Sequence, residues 1–566
     1  MVMRKLCWTA NLLTMLLIPS CGGVEITETD KTIDSGESSG SGSIDTDPGE
    51  DEKTDDSEYD RTIKIVFSSD GAAVSGDTDG IVTVSGNDVT VNNTSDEIIL
   101  YVLSGSASDG FFKLYSSKRQ AIELNALTLT NPFGTAINNQ SHKRTNVILS
   151  GTSKLADGSV NSSGHYPDET SDEDMKAAFF SEGQLIFSGS GTLEVNAKGK
   201  SGITSDDYLR FLDGPTISVV STAGHALRGK EAVLVSGGNI DLSVSATGKK
   251  GISTDSLAYF GGGVVTINSS SSAGTVDGEL TGAAGIKADQ LFKIDGGTLS
   301  VTCTGQGSKG INCDGEAYFE GGEVTVKVTG NNYGGSSGQR PWGYGSDSSK
   351  SSKGIKIDGN IYFQGATVNV SSASHEGIES KGKIEITAGS VKVNASDDAI
   401  NSSSDMTFSG GTVYAFSSGN DGLDANGNMY VKGGEIYAVG SGSPEVALDA
   451  NTERGYKLYI TGGQLVAFGG IESGSSISQP IITVNSWTRN TTYSLYYGTD
   501  LLMEFTSPSS GGNSIVISHP SLVSGTSYTL KTSSGSTTVT ASMSAGGSAG
   551  GPGGGGHGGG PGGRPW

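Results

Sequence analysis

Apolar and polar residues alternate in short runs from Gly202 to about Gly469, and the runs recur as one phrase. Each phrase opens with Gly or Ala, then Ile or Leu. It passes two residues to a polar one, enters a short strand, turns at Gly-Gly or an equivalent, and ends in a second alternating strand. The starts are Gly202, Ala226, Gly251, Gly285, Gly310, Gly354, Gly377, Ala399, Gly422 and Ala447, with steps of 24, 25, 34, 25, 44, 23, 22, 23 and 25 residues. Side chains alternate across a strand. In the phrase from Gly310, Ile311 and Cys313 therefore point inward, while Asn312 and Asp314 point outward. Gly321 and Gly322 make a corner, and Val324, Val326 and Val328 line a second inner face. Ile355/Ile357, Leu423/Ala425 and Leu448/Ala450 repeat the inward pair. A period in the low twenties with β alternation and no helical stretch predicts an all-β fold: a right-handed parallel β-helix, or solenoid, with β-rich caps. No turn buries its apolar face alone, so the turns must stack, and equivalent polar positions then form columns.

The same pattern divides the chain. Ala136 and Ala178 open earlier turns and Val82 to Val91 alternates, so residues 61–475 are expected to be the solenoid with an irregular N-terminal cap. Residues 476–545 are β-rich but off-period and read as a C-terminal cap, while 546–566 are a Gly-rich tail. Long insertions fall at about Asp157 to Lys176, Ser269 to Ala284 and Gly330 to Lys353, where solenoids place surface loops. The third holds Tyr333, Arg340, Trp342 and Tyr344. Tyr and Trp combine apolar contact with a polar handle, so these residues are candidates for glycan contact or for pinning the loop.

The first sixty residues change the picture of where the chain works. Arg4 and Lys5 precede an apolar run from Leu12 to Ile18 and the sequence Ile18-Pro19-Ser20-Cys21. This is the form of a secretory signal over residues 1–20. Its ending resembles a bacterial lipobox, which implies lipidation of Cys21 and an outer-membrane or cell-surface location through a lipid anchor. The run is too short for a membrane span. Residues 21–60 read as a disordered tether. From Val24 to Asp60 there are fourteen acidic residues and two lysines, a net of −12 and half of the chain's −24. Such a segment cannot bury enough apolar surface to fold. Cys303 and Cys313 read as core residues, with a disulfide possible in an exported protein.

Columns carry the candidate chemistry. With the opening Gly or Ala as position one, positions three, five and minus one are basic or mixed in the first half: Arg228, Lys230, Lys250, Asp255, Lys287, Asp289, Lys309, Asp314, Lys353, Lys356 and Asp358. In the second half they become acidic or amide: Glu376, Glu379, Asp398, Asn401, Asp421, Asp424, Asn426, Asp449 and Asn451, with Asp397, Asn420 and Glu445 beside them. Rungs stack about 4.8 Å apart, and calcium takes six to eight oxygens at about 2.3–2.6 Å. Neighbouring rungs can therefore share an ion, and Asp397, Asp398, Asp421, Asp424, Glu445 and Asp449 are the candidate ligands. The opposing reading is that these acids bond their own turn backbone. Oxygen-rich ligands and six scattered histidines favour a hard cation over zinc. Lys250, Lys309, Lys353 and Lys356 form a strip suited to an extended polyanion, with uronate carboxylates the natural partner outside a cell. They could instead pair with the nearby aspartates as a solvated ladder. Nucleic acid is not expected, because basic-aromatic runs are lacking.

Gly251-Ile-Ser-Thr-Asp255, Gly310-Ile-Asn-Cys-Asp314, Ser396-Asp-Asp-Ala-Ile-Asn401 and Gly419-Asn-Asp-Gly-Leu-Asp424 carry a family resemblance. Over roughly Ala136 to Gly470 the chain resembles the bacterial carbohydrate-binding-domain β-helix family, whose characterised type binds pectic polygalacturonate and cellulose and carries calcium. The resemblance implies calcium on the acidic turn residues and glycan on an outer face. The chain departs by placing Lys before Gly in several turns, and by lacking Asp at position five after Asp358. The reading is a binding lipoprotein and not an enzyme. Alternatives are a calcium-dependent polysaccharide lyase, with Lys or Arg as base, and a structural adhesin without glycan specificity.

Overall fold

A computed structural model describes residues 59–334 and 350–544. The repeated phrase folds as expected into an all-β solenoid. Each turn contributes one short strand to a fifteen-stranded sheet and further strands to a 29-stranded sheet that wraps the remaining sides. In the turn opening at Gly310 the strands are Ser308–Cys313, Glu316–Phe319 and Glu323–Val328. Each pairs in parallel with the equivalent strand of the turns before and after. Ile311, Cys313, Phe319, Val324, Val326 and Val328 are buried in one continuous core running the length of the stack. Cys303 and Cys313 are separate buried thiols, and burial pushes each up to about 12.

Parallel stacking extends to the start of the described chain. Arg61–Phe67 already pairs in parallel with Ile99–Ala107, which pairs with Gln120–Thr130. Antiparallel pieces finish this end: Ala73–Ser75 lies against the first strand, and Val82–Ser85 folds on Asp88–Asn93. At the other end Ile515–Ser518 runs antiparallel to Gln464–Phe468. A four-stranded antiparallel sheet spanning 492–540 then builds a second core, in which Val439, Val466 and Phe468 of the solenoid meet Leu495, Phe505 and Leu530. Both ends are thereby kept from offering bare parallel edges to other chains.

In most turns the opening residue is set by the side chain that faces it across the core; Gly422, in the turn where that position is Ala438, is instead crowded by the backbone of Val439 and Ala447. A Cβ on Gly310 would lie 2.1 Å from Val326 Cγ1, and one on Gly377 2.1 Å from Val393 Cγ1. Gly251, Gly285 and Gly354 meet Ile267, Val301 and Val370 in the same way. Where the column of Val370 and Val393 continues as Ala415, the opening residue becomes Ala399. Ala226 corresponds to Leu242, which branches one carbon further from the backbone. Gly377→Ala should therefore destabilise the fold by about 1–3 kcal/mol through overpacking, measured by urea unfolding. Combined with Val393→Ala, the two losses should sum to less than their separate costs, since each change relieves the other.

Candidate functional site

The short strands of the fifteen-stranded sheet carry position three on their outer face, and direct pairing puts those residues in one file. It runs Arg228, Ser253, Lys287, Asn312, Lys356, Glu379, Asn401, Asp424 and Asp449. Position minus one forms a second file. Lys250, Ala284, Lys309 and Lys353 are paired residues. Backbone bonds from Gly354 to Glu376, Gly377 to Asp398 and Ala399 to Asp421 carry it onward. The change from basic to acidic residues thus occurs in both files at one level of the stack.

Below that level most position-three cations are neutralised by position-five acids. Arg228 forks onto both oxygens of Asp255 at 3.0 Å, and Lys287 lies 2.6 Å from both Asp289 and Asp314. Lys356 bonds Asp358. Lys250 and Lys309 differ, having no ion pair among the described residues. Lys250 donates to the Gly248 carbonyl at 2.9 Å. Burial and then neighbouring cations push both ammonium groups down to about 8.

At the changeover Lys353 is 8 % exposed and its Nζ lies between Glu376, at 3.2 Å, and Glu379. The expectation that Lys353 faces an outside ligand is corrected here: two buried carboxylates of the next turn already hold its charge. Burial alone would raise Glu376, but the bond from His375 and the Lys353 charge outweigh it and hold that carboxyl down at about 2. Burial likewise opposes ionisation of Glu379, and Lys353 and Lys381 overcome it.

Above the changeover no lysine or arginine pairs with the acids among the described residues. Asp398 and Asp421 are 5 % and 6 % exposed. Each uses one oxygen on the turn above: Asp398 Oδ1 accepts from the Asp421 amide at 3.1 Å, and Asp421 Oδ1 accepts from the Val446 amide at 2.6 Å. The backbone-capping reading is thus part of the answer, but it engages only one oxygen of each. Asn401 donates to Asp398 at 3.2 Å and to Asp424 at 2.6 Å, and Asn420 donates to Asp397 at 2.8 Å. Asp449 Oδ1 is buried with no hydrogen-bond partner among the described residues. Burial, then neighbouring carboxylates, push Asp398 up to about 8 and Asp424 to about 6. Burial dominates again at Asp421, pushed to about 9, and at Asp449, pushed to about 8 beside Glu472. Glu445 is raised as well, first by burial and then by Asp397.

Among the described residues, two groups of ligand atoms lie close enough to share an ion: His375, Glu376 and Asp397, and, far down the stack, Asp174, Glu182 and Asp206. Lys176 binds Asp174 and Asp206 of the second group, so that group is already neutralised. His375 and Glu472 were not among the expected site residues. Glu472 had a signal, because Gly470-Ile471-Glu472 repeats the opening phrase 23 residues after Ala447, and Ile471 pairs with Leu448. His375 had none, being a single residue in a corner. Tyr333 is half-buried at the base of the third insertion, where its backbone bridges to Lys350. Arg340, Trp342, Tyr344 and Cys21 lie outside the described residues.

The fold and its two charged files define a parallel β-solenoid with a stacked polar face. A family model for carbohydrate-binding domain-containing proteins matches residues 85–422 and 343–479, and the chain belongs to that family. No curated protein matches it. A solved structure titled the polysaccharide lyase-like protein from C. thermocellum, as a gadolinium derivative, aligns at 20 % identity and a TM-score of 0.31, covering 48 % of this chain and 92 % of that one.

The raised carboxyls give a pH dependence with a definite sign. A carboxyl raised in the folded state binds its proton more tightly there than in the unfolded chain. Its stabilising contribution is complete below the ordinary value of 3.8 and is lost as pH climbs toward the folded values of about 8 and 9 for Asp398 and Asp421. With chelator present, the melting temperature should fall from pH 5 to pH 9, and Asp421→Asn should flatten that fall. A profile unchanged by Asp421→Asn would contradict the assignment.

Proposed function

We propose that the protein is a lipid-anchored cell-surface binder that captures an anionic polysaccharide, with calcium held in the acidic file. The observation that carries the calcium reading is Lys353. Its ammonium sits between the position-minus-one and position-three acids of the turn above. The following turns repeat those acids as Asp398, Asp421, Asp424 and Asp449 without any such lysine. A cation from solution would do there what Lys353 does below. The donor set is all oxygen, as calcium prefers, and the unpartnered Asp449 Oδ1 fits it. Asp398, Asp421 and Asp424 would hold the ion, with Asp397, Glu445 and Asp449 beside them. Bound calcium would keep these buried carboxylates ionised and could also draw in a carboxylate of the polymer.

Lys250 and Lys309 support the glycan reading. Two lysines without ion-pair partners among the described residues, on one face of the stack, suit regularly spaced uronate carboxylates. A lyase would need its base within hydrogen-bond reach of the reacting carbon's proton, close to the metal. Lys250 and Lys309 share the most suitable acidity, but Lys353 and Glu376 stand between even the nearer of them, Lys309, and Asp398. Three rungs at about 4.8 Å each separate them by roughly 14 Å. That separation favours capture over cleavage. The anchor rests on Cys21 and the basic-apolar leader before it.

The test is binding of the protein to polygalacturonate and to neutral glucans, with calcium and with chelator, while watching for ultraviolet absorbance from unsaturated product. Calcium-dependent retention on the uronate without absorbance is expected. Asp398→Asn with Asp421→Asn should weaken calcium binding by at least about tenfold, and Lys309→Ala should weaken only the polymer. Absorbance growth would make the protein a lyase. Absence of glycan binding with calcium-dependent stability intact would make it an adhesin.

A further inference from the structure

The second and third insertions leave the solenoid at one corner, the corner that leads into the position-minus-one file. Gly274–Val276 and Glu279–Thr281 of the second pair as an antiparallel hairpin. Asp277 and Gly278 make its turn, with φ of 52° and 84°, a left-handed pair that suits a tight hairpin. The hairpin lies back over the rung below the one it leaves. A Cβ on Gly248 would stand 3.0 Å from Thr281 Cγ2 and 3.2 Å from Val276 Cγ2, and one on Gly274 2.4 Å from Thr247 Cγ2. The Gly248 amide donates to the Ser272 carbonyl at 2.8 Å. The third insertion is rooted beside it, where Tyr333 and Lys350 exchange backbone hydrogen bonds of 2.8 and 3.0 Å. A Cβ on Gly307 would meet Ala273 at 2.9 Å, Tyr333 at 2.8 Å and Lys350 at 3.0 Å, so the roots of both insertions close on that glycine.

Four lysines stand at this corner without an ion pair among the described residues. Lys249 and Lys250 share one level, Lys309 lies two rungs on, and Lys350 lies beside Lys353 three rungs on. All four are partly exposed, unlike the buried Lys353. Lys249 and Lys350 belong to neither charged file, yet each is within electrostatic reach of a lysine that does. Burial lowers the ammonium groups of Lys250 and Lys309 first; Lys249 then adds repulsion at Lys250, and Lys350 adds to that of Lys356 and Lys353 at Lys309. The hairpin's own acids, Asp277 and Glu279, sit at its exposed tip and pair with none of the four among the described residues. Concentrating one sign of charge destabilises a compact state, and a polyanion laid across these lysines would offset that cost.

We propose that an anionic polysaccharide is gripped at this corner, by Lys249, Lys250, Lys309 and Lys350 together, with the Gly274–Thr281 hairpin as the wall beside it. The inference rests on the anionic-glycan reading and locates it. The surface is a patch three rungs tall, roughly 14 Å, and not a strip that follows the position-three file. Arg228, Lys287 and Lys356 of that file are excluded because Asp255, Asp289, Asp314 and Asp358 already hold their charges. Lys353 is excluded because Glu376 and Glu379 hold it. The wall affects strength as well as place. Lysines on an open sheet are screened by water on every side, whereas a hairpin standing beside them displaces water from one side and lowers the local dielectric. Ammonium groups are point charges on flexible stems and need no planar pairing, so they can follow acidic groups that turn about the axis of a glycan chain.

The test uses the full chain and polygalacturonate in calcium buffer, with affinity followed by titration calorimetry across a series of salt concentrations. Lys249→Ala and Lys350→Ala should each weaken binding by about twofold to fivefold. Each should also flatten the fall of affinity with salt, since it removes a contact that releases a counterion. Lys154→Ala, which removes a lysine paired with Glu194 in the larger sheet, should do neither. Deleting Thr275 to Leu280 should weaken the polymer at unchanged melting temperature and leave calcium binding intact. Polymer binding indifferent to both Lys249→Ala and Lys350→Ala would overturn the proposal while the glycan reading stands. Equal weakening by Lys154→Ala would reduce the effect to net charge and overturn it as well. No binding of polygalacturonate or of dextran sulfate to the unaltered chain would overturn both.

Discussion

Backbone pairing between successive rungs is the constraint from which the rest of this molecule follows. It holds equivalent residues about one strand spacing apart, roughly 4.8 Å, and repeats that distance at every turn. A side chain in such a file must tolerate its own neighbours above and below. Apolar residues do so at no cost, which is why one core runs the length of the stack. Aromatic residues do so by stacking. Tyr318 lies on Tyr362 at 4.8 Å and Tyr430 on Tyr459 at 5.1 Å, with ring planes within 20°. These rings cover one another's faces and act as spacers between turns, leaving mainly their edges and hydroxyls to the outside.

Charge is the case that stacking does not tolerate, and the chain answers it in three ways. In the lower turns, acids one register position away offset the position-three cations, a pairing worth about 0–1 kcal/mol where it is exposed. At the changeover a buried lysine enters the acid file itself. Removing one partner of such a pair typically costs about 3–5 kcal/mol, because the other charge remains buried. Glu376 and Glu379 are therefore held by the Lys353 charge. Higher up, Asp398, Asp421 and Asp449 have neither answer, and burial favours their protonated forms. Lys353 thus marks the level above which no lysine compensates the acid file among the described residues.

The sequence made legible what repeats. The opening positions, the inward Ile311/Cys313 type of pair and the two outward files all follow from period and alternation, and the register pairs Glu379, Asn401, Asp424 and Asp449 as that reading requires. Depth was not legible. Alternation places Lys353 and Lys309 alike on an outer position, yet one is locked between two carboxylates and the other has no ion pair among the described residues. The difference lies in the next turn, where Glu376 replaces a lysine. Irregular segments were less legible still. The insertion from Asp157 to Lys176 reads as a surface loop, and its hydrogen bonds to Lys198, Gly199 and Lys200 join residues some forty positions apart with no pattern to announce them.

That contrast bears on where specificity can reside. A file built by repetition presents the same group at equal intervals, so it recognises a ligand that also repeats and is indifferent to which repeat it holds. Recognition of one particular ring needs a place where the repetition breaks, because only there can donors of different kinds converge from different elements. The first insertion supplies such a break. It brings Asp168 and Met175 over Phe111, Lys113 and Asn138, residues that the regular strands alone would leave on an open surface. The regular face offers repetition of one kind of group, and the interrupted one offers groups of different kinds from different elements. A solenoid can hold both because an insertion at one corner leaves the pairing of the neighbouring rungs intact: Phe112 pairs with Ile137 and Ile137 with Phe179 across the level at which the insertion leaves the stack.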